Sequence, residues 1–259
     1  MNKKILAFIA AGFFLVLVWP GQPVESQSLV DVSPENRMLL SSLTSLADAH
    51  IRSALDALQI LSGTREVRSL RWETMKGLLG EAQRRGIPGA VWFARPDGSY
   101  FTVDRNSIDQ NLKDRGYFPR VLAGETVVGS LVVSRSTGKK SAVLAVPVLK
   151  KGKTVGVLGW SIALEAFSEL LTKEIGLAEN RVFFALDSTG QTVLHVKTEK
   201  VFADAAKQDS PSLANVVSEM AARGEGQAEY EYQQSVRRIL YKTSPLTHWR
   251  FAYGTVQPF

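Results

Sequence analysis

The sequence predicts an α+β chain of two tandem lobes, each an antiparallel sheet with flanking helices, behind one long amino-terminal helix. Three observations carry this prediction. Apolar residues recur at helical spacing from Leu40 to Leu61. Beyond Gly86 the pattern changes to short apolar runs interrupted by Pro, Asp and Gly. Finally, "VWFARPDGSYFTV", beginning at Val91, is echoed by "VFFALDSTGQTVLHV", beginning at Val182. In that echo Val91, Trp92, Phe93 and Ala94 correspond to Val182, Phe183, Phe184 and Ala185, and each run enters a turn containing Asp and Gly.

The first element is an export signal. Lys3 and Lys4 precede an apolar run from Ile5 to Trp19, which Pro20-Gly21 then breaks. That run is short for a membrane span and suits a signal-peptide core. Val24 and Ser26 supply small residues for cleavage after Ser26, so residues 1–26 are expected to be a signal peptide, with an uncleaved amino-terminal anchor as the alternative. The chain has no cysteine, which rules out a lipoprotein, disulfides, thiolate metal sites and a Cys nucleophile. The expected location is periplasmic or extracytoplasmic.

A long helix region follows over 33–66. Leu40, Leu43, Ala47, Ile51, Ala54, Leu58 and Leu61 repeat with a mean spacing of 3.5, which keeps one seam in line. Ser33 is the expected N-cap, Pro34 the first helical residue and Gly63 the stop. The seam either joins two copies in a homodimer or lies against the chain's own domain. A second helix is expected over Ser69–Arg85, ended by Gly86 with Pro88 beyond.

The first lobe is expected over 67–172. Its hairpin turns at Pro96-Asp97-Gly98. "GETVVGSLVVS" and "SAVLAVPVLKKGKTVGVLGWSI" add three strands, with Lys151-Gly152 between the last two, and "ALEAFSELLTKEIG" is a short amphipathic helix. The second lobe, over 173–259, repeats the hairpin and then adds "AEYEYQQSVRRILYKTSPL" and "HWRFAYGTV" as further antiparallel strands.

Charge excludes one class of partner. The net charge is +6 and the pI about 9.5, but basic residues are spread along the chain. The densest groups are Lys150-Lys151-Gly152-Lys153 and Arg237-Arg238. A nucleic-acid binder concentrates such charge on one face, so no nucleic-acid partner is expected.

Catalytic motifs fail one by one. "STGKKS", ending at Ser141, has Val133 where a phosphate-binding loop needs its first glycine. "GWSIA" around Ser161 lacks the second glycine of a nucleophile elbow. "GKTVGVLG" has the wrong glycine spacing for a dinucleotide site. His50, His195 and His248 are isolated, and Asp104, Asp109 and Asp114 lack the alternation of a calcium loop. The chain is therefore read as a non-enzyme with no cofactor and no metal.

"DRGYFPRVLAGETVVGSLVVSRSTGKKSAVLAVPVLKKGKTVGVLGWSI" resembles the membrane-distal lobe of double Cache (dCache) sensor domains. "VFFALDSTGQTVLHV" followed by "YKTSPLTHWRFAYGTV" resembles their membrane-proximal lobe. The resemblance covers roughly residues 33 to 259. It implies two PAS-like lobes outside the cytoplasmic membrane, with a small molecule bound in the distal lobe and the event passed to a chemoreceptor or sensor kinase. No signalling module follows in this sequence, so the signal is expected to pass through a separate membrane partner.

Amino-acid-binding members grip the ligand carboxylate with an Arg-x-Trp-Tyr segment. Arg115, Tyr117 and Phe118 stand at those places here. A guanidinium can hold a carboxylate through two hydrogen bonds, and an aromatic wall dries that contact. Where amine-binding members place acids, this chain offers Ser134 or Arg135 and, further on, Ser161. The resemblance therefore implies a small organic acid or neutral ligand rather than an amino acid. Trp92 and Tyr100 lie on the hairpin facing the same pocket, and Trp92 completes the expected site with Arg115, Tyr117, Phe118, Ser134 and Ser161. Arg120 is expected on the outside of a helix. The competing reading is a non-catalytic structural or interaction protein whose pocket is filled by its own aromatic side chains.

Overall fold

The computed structural model describes residues 34–259; the expected export segment and the expected cap Ser33 lie outside the described residues. Helix α1 runs Pro34–Ser62 and stops at Gly63, as its pattern and flanking residues predict. The next helix departs from expectation. Expected over Ser69–Arg85, it starts only at Trp72 as α3 (Trp72–Arg85), because Leu70 adopts φ 62, which no right-handed helix can include, and an unexpected short helix, α2 (Arg65–Arg68), precedes it. Thr64 caps α2 by accepting a hydrogen bond from the Val67 amide at 3.3 Å, and the Ser69 hydroxyl accepts from the Arg71 amide at 3.2 Å across the break.

The first sheet comprises β1 (Gly89–Ala94), β2 (Ser99–Thr102), β3 (Asn106–Asn111), β4 (Val127–Val133), β5 (Lys140–Lys150) and β6 (Lys153–Ala163). Its order is β3-β2-β1-β6-β5-β4, with every neighbouring pair antiparallel. A short helix, α4 (Phe118–Leu122), joins β3 to β4, and α5 (Leu164–Glu174) follows β6. Sequence patterning misses β3: "NSIDQN" is almost wholly polar because it is an exposed edge strand with no core face. The Lys151-Gly152 turn has φ 51 and 76, the left-handed pair that a two-residue hairpin requires.

The second sheet is built from β7 (Arg181–Leu186), β8 (Thr192–His195), β9 (Glu225–Glu231), β10 (Ser235–Thr243) and β11 (Arg250–Pro258). Its order, β8-β7-β11-β10-β9, repeats the first sheet without the polar edge strand. Between β8 and β9 lies α6 (Pro211–Arg223), which the strand-seeking reading overlooks despite clear punctuation. Ser210 accepts from the Leu213 amide at 3.1 Å, Pro211 occupies the first turn, and Gly224 closes the helix at φ 75. Ser210→Ala is expected to lower stability by about 1 kcal/mol in urea unfolding, since it removes this cap.

Each sheet has two buried faces. Val91, Phe93, Leu158 and Trp160 of the first sheet, and Phe183, Ala185, Phe251 and Tyr253 of the second, join α1 in one continuous core. All seven seam residues of α1 are buried in it, so the seam lies against the chain's own two sheets. A homodimer through this helix would have to use the opposite face. Among the described residues, no helix is long and apolar enough to cross a membrane.

The outer faces carry separate clusters. Trp92, Tyr100, Tyr117, Phe118 and Val157 form one in the first lobe. Phe184, Tyr230, Ile239 and Met220 belong to the other in the second. This division corrects the sequence echo by one residue. Trp92 faces the outer cluster, and so does Phe184, whereas Phe183 faces α1. A one-residue slip in a strand exchanges its faces, and letter similarity cannot detect it.

Candidate functional site

The outer face of the first sheet and the segment around α4 form a partly open cavity. Five of the six expected residues line it: Trp92, Arg115, Tyr117, Ser134 and Ser161. They arrive from β1, the loop before α4, the turn after β4, and β6. The sixth, Phe118, is fully buried but does not line the cavity. It is the first residue of α4 and packs with Val121 and Val143 in the adjoining core.

Trp92 forms the floor. It sits directly opposite Gly159 on β6, and a Cβ at that glycine would fall on the indole ring. The missing side chain is what allows a tryptophan to lie flat across the neighbouring strand. The indole Nε1–H donates to the Ser161 hydroxyl at 3.0 Å, which fixes both side chains. Tyr117 closes the opposite side, its ring centroid 6.3 Å from that of Trp92. Burial pushes the Tyr117 hydroxyl pKa up, so it stays protonated as a donor.

The two arginines behave differently. Arg115 is half-buried, and its Nη2 donates to the Val133 carbonyl at 2.8 Å. Among the described residues, no carboxylate forms an ion pair with Arg115. Arg135 is already paired: its two terminal nitrogens donate to both Asp114 oxygens at 2.6 and 2.7 Å, and it also bonds the Asn111 carbonyl. Those hydrogen bonds hold the Asp114 carboxyl at about 2. Arg120 pairs with Glu125 on the exposed side of α4, away from the cavity.

Tyr100, Leu112, Val132, Arg135 and Ser136 also line the cavity. Ser136 escaped the sequence reading, although its position two residues beyond Ser134 in a turn is the available signal. The two serine hydroxyls are 3.2 Å apart. The Tyr100 hydroxyl is buried without a well-formed hydrogen bond, with Ser136 beside it. The cavity thus presents two arginines, one of them already paired with Asp114, five hydroxyl groups and an aromatic floor, and no acidic residue lines it. Such a lining accepts a small anionic or hydroxylated molecule and offers no counter-charge to an ammonium.

The histidines are dispersed. His50 on α1 bonds Glu174 at 2.7 Å and ties α1 to α5. His195 lies at the end of β8, and His248 adopts φ 59 in the turn before β11.

Comparison with known proteins places this architecture. The family profile described as the Cache domain matches residues 26–257. No curated protein matches in sequence. Among solved structures, an extracellular ligand binding receptor from Desulfohalobium retbaense aligns with a TM-score of 0.69 and 14% identity, over 86% of this chain and 40% of that one. This chain therefore spans less than half the length of that receptor. The sensor domain of the V. cholerae histidine kinase DctB aligns with a TM-score of 0.61 and 14% identity, over 87% of this chain and 100% of that one. The ligand binding domain of the Pseudomonas aeruginosa amino acid chemoreceptor PctB, in complex with L-Gln, aligns with a TM-score of 0.65 and 15% identity, over 86% and 90%. The family match spans nearly all of the described residues and the two-sheet fold agrees with it, so the chain belongs to the Cache domain family, in its double (dCache) form.

Proposed function

We propose that the chain is a non-catalytic, extracytoplasmic sensor domain that binds a small polar organic acid in its first lobe. The observation that carries this reading is convergence. Arg115, Tyr117, Trp92, Ser134 and Ser161, from four separate segments, line one cavity with no acidic residue. Arg115 grips the ligand carboxylate, the serine and tyrosine hydroxyls take its other polar groups, and Trp92 supplies the floor. Phe118 supports α4 from behind. The boundary between the lobes falls at 172/173, the first lobe is distal to the membrane, and residues 1–26 direct export or anchor the chain.

Binding is reported to a separate membrane partner, a chemoreceptor or sensor kinase. The structural likeness to the DctB sensor domain and the PctB ligand binding domain supports this role. The absence of an acidic lining argues against an amino acid as ligand, since its ammonium would meet only Arg115 and Arg135.

A thermal-shift series on the full chain tests the reading. Glycolate and malonate are the probes, compared with amino acids, amines and purines. A ligand at about 100 times its Kd adds about 2.7 kcal/mol, which is a rise of roughly 5 to 10 °C for a domain of this size. Arg115→Ala is expected to abolish that rise. Silence from every organic acid, or a shift that survives Arg115→Ala, would refute the site. In that case a protein partner, recognised through the surface, becomes the reading to pursue.

A further inference from the structure

The second lobe contains a second, partly open cavity on the outer face of its sheet. Phe184, Leu213, Tyr230 and Tyr232 supply its apolar walls, while Arg237 and Lys200 project charge toward it. No acidic residue lines it.

Arg237 is the unusual member. It lies on β10 and is only 8% exposed. Its Nε is buried and has no hydrogen-bond partner. The guanidinium carbon stands 4.6 Å from the Tyr232 ring centroid and 5.9 Å from that of Tyr230. Among the described residues, no carboxylate forms an ion pair with it. Its neighbour Arg238 points to the other face of the strand and is fully matched, donating to Glu229 at 2.6 Å and to Gln257 at 2.8 Å. The outward arginine of this pair has an acid, whereas the inward one has the tyrosine rings and a hydrogen bond to the neutral Tyr230 hydroxyl.

A buried cation is costly unless it is paired, and stacking on tyrosine offsets part of that cost. The surroundings add positive charge. Lys200 Nζ donates only to neutral acceptors, Tyr232 Oη at 2.8 Å and Gln208 Oε1 at 3.1 Å. His195 accepts the Lys197 amide at Nδ1 at 2.8 Å, which leaves its proton on Nε2 as a further donor.

We infer that this cavity is a second ligand site, which takes a small monocarboxylate with an apolar or aromatic body. The carboxylate meets the Arg237 guanidinium through charge-assisted hydrogen bonds, with Lys200 beside it. The hydrocarbon part packs against Phe184, Leu213 and Tyr230. An amine is disfavoured because every charged group lining the cavity is a cation. The site is independent of Arg115, which belongs to the other lobe.

The test is calorimetric titration of the full chain with propionate, butyrate and benzoate, against propylamine, butylamine and benzylamine as charge-reversed controls. The carboxylates are expected to bind and the amines not to. Arg237→Gln is expected to weaken the carboxylates roughly tenfold or more, the loss of a charged hydrogen-bonding partner. Arg238→Gln, which changes the outward-facing arginine of the same strand and touches neither cavity, should leave their affinity unchanged. If Arg237→Gln does not fold, Lys200→Gln serves in its place, with an expected loss of about threefold or more. A readout that needs no variant is the Nε–H resonance of Arg237 in 15N-arginine-labelled protein, which should move on benzoate addition. Three results would overturn the inference: no carboxylate binding at millimolar concentration, equal binding of the amines, or an affinity lost in Arg115→Gln but kept in Arg237→Gln.

Discussion

Gly159→Ala is expected to destabilise the protein by about 3 kcal/mol, at the upper end of the range for overpacking a core. Gly159 faces Trp92 directly across the β1–β6 ladder, and the indole covers the space a side chain would take. Accommodation would require the whole ring to move. Trp92 is 2% exposed, bonded to Ser161 and flanked by Tyr117, so it has nowhere to go without opening the first-lobe cavity. Urea unfolding followed by circular dichroism measures the effect. Gly116→Ala is the control, because nothing lies within 4 Å of the position its Cβ would take. A loss below about 1 kcal/mol at Gly159 would mean that the tryptophan does not lie across the strand. The same variant should also blunt the response to glycolate or malonate, because the floor of the proposed site is displaced.

The second large effect is acid sensitivity centred on His195. Burial, followed by the positive charges of Arg237, Lys200 and Lys197, lowers its pKa from 6.5 to about 3. The unfolded chain therefore binds a proton at this residue between those two values, while the folded chain does not. Stability falls as pH drops through that window, because the unfolded state holds more protons there. The slope is up to about 1.4 kcal/mol per pH unit, so between pH 6.5 and 5 the loss approaches about 2 kcal/mol. Most carboxylates remain ionised in that range and contribute little. His195→Gln should flatten the dependence in urea midpoints measured from pH 7 to 5. Equal slopes in the two proteins would show that His195 titrates normally.

The fold was legible where each segment carries its own signal. The seam of α1, the hairpin at Asp97-Gly98 and the Lys151-Gly152 turn follow from spacing and turn chemistry. The capped ends of α6 carried the same information, at Ser210-Pro211 and Gly224. Two features were not legible. The polar strand β3 forms because β2 offers it an edge, not because its residues favour a strand. The break at Leu70 belongs to the packing of α2 and α3 and has no glycine or proline to announce it.

The candidate site divides along the same line. Sequence alone determined the composition of this protein's chemistry. It contains no thiol, no histidine pair and no phosphate loop, and it carries an arginine beside aromatic residues in the first lobe. Only the tertiary structure decided which of those groups meet. It turned Tyr117 and Trp92 into the first cavity and Phe118 out of it, and it placed Phe184 rather than Phe183 on the outer face of the second lobe. It also separated Arg237 from Arg238, giving one an acid and the other none. The physical reason is the two-residue period of a strand. Adjacent side chains differ completely in surroundings, and which of them faces a cavity depends on pairing with strands far away in the chain.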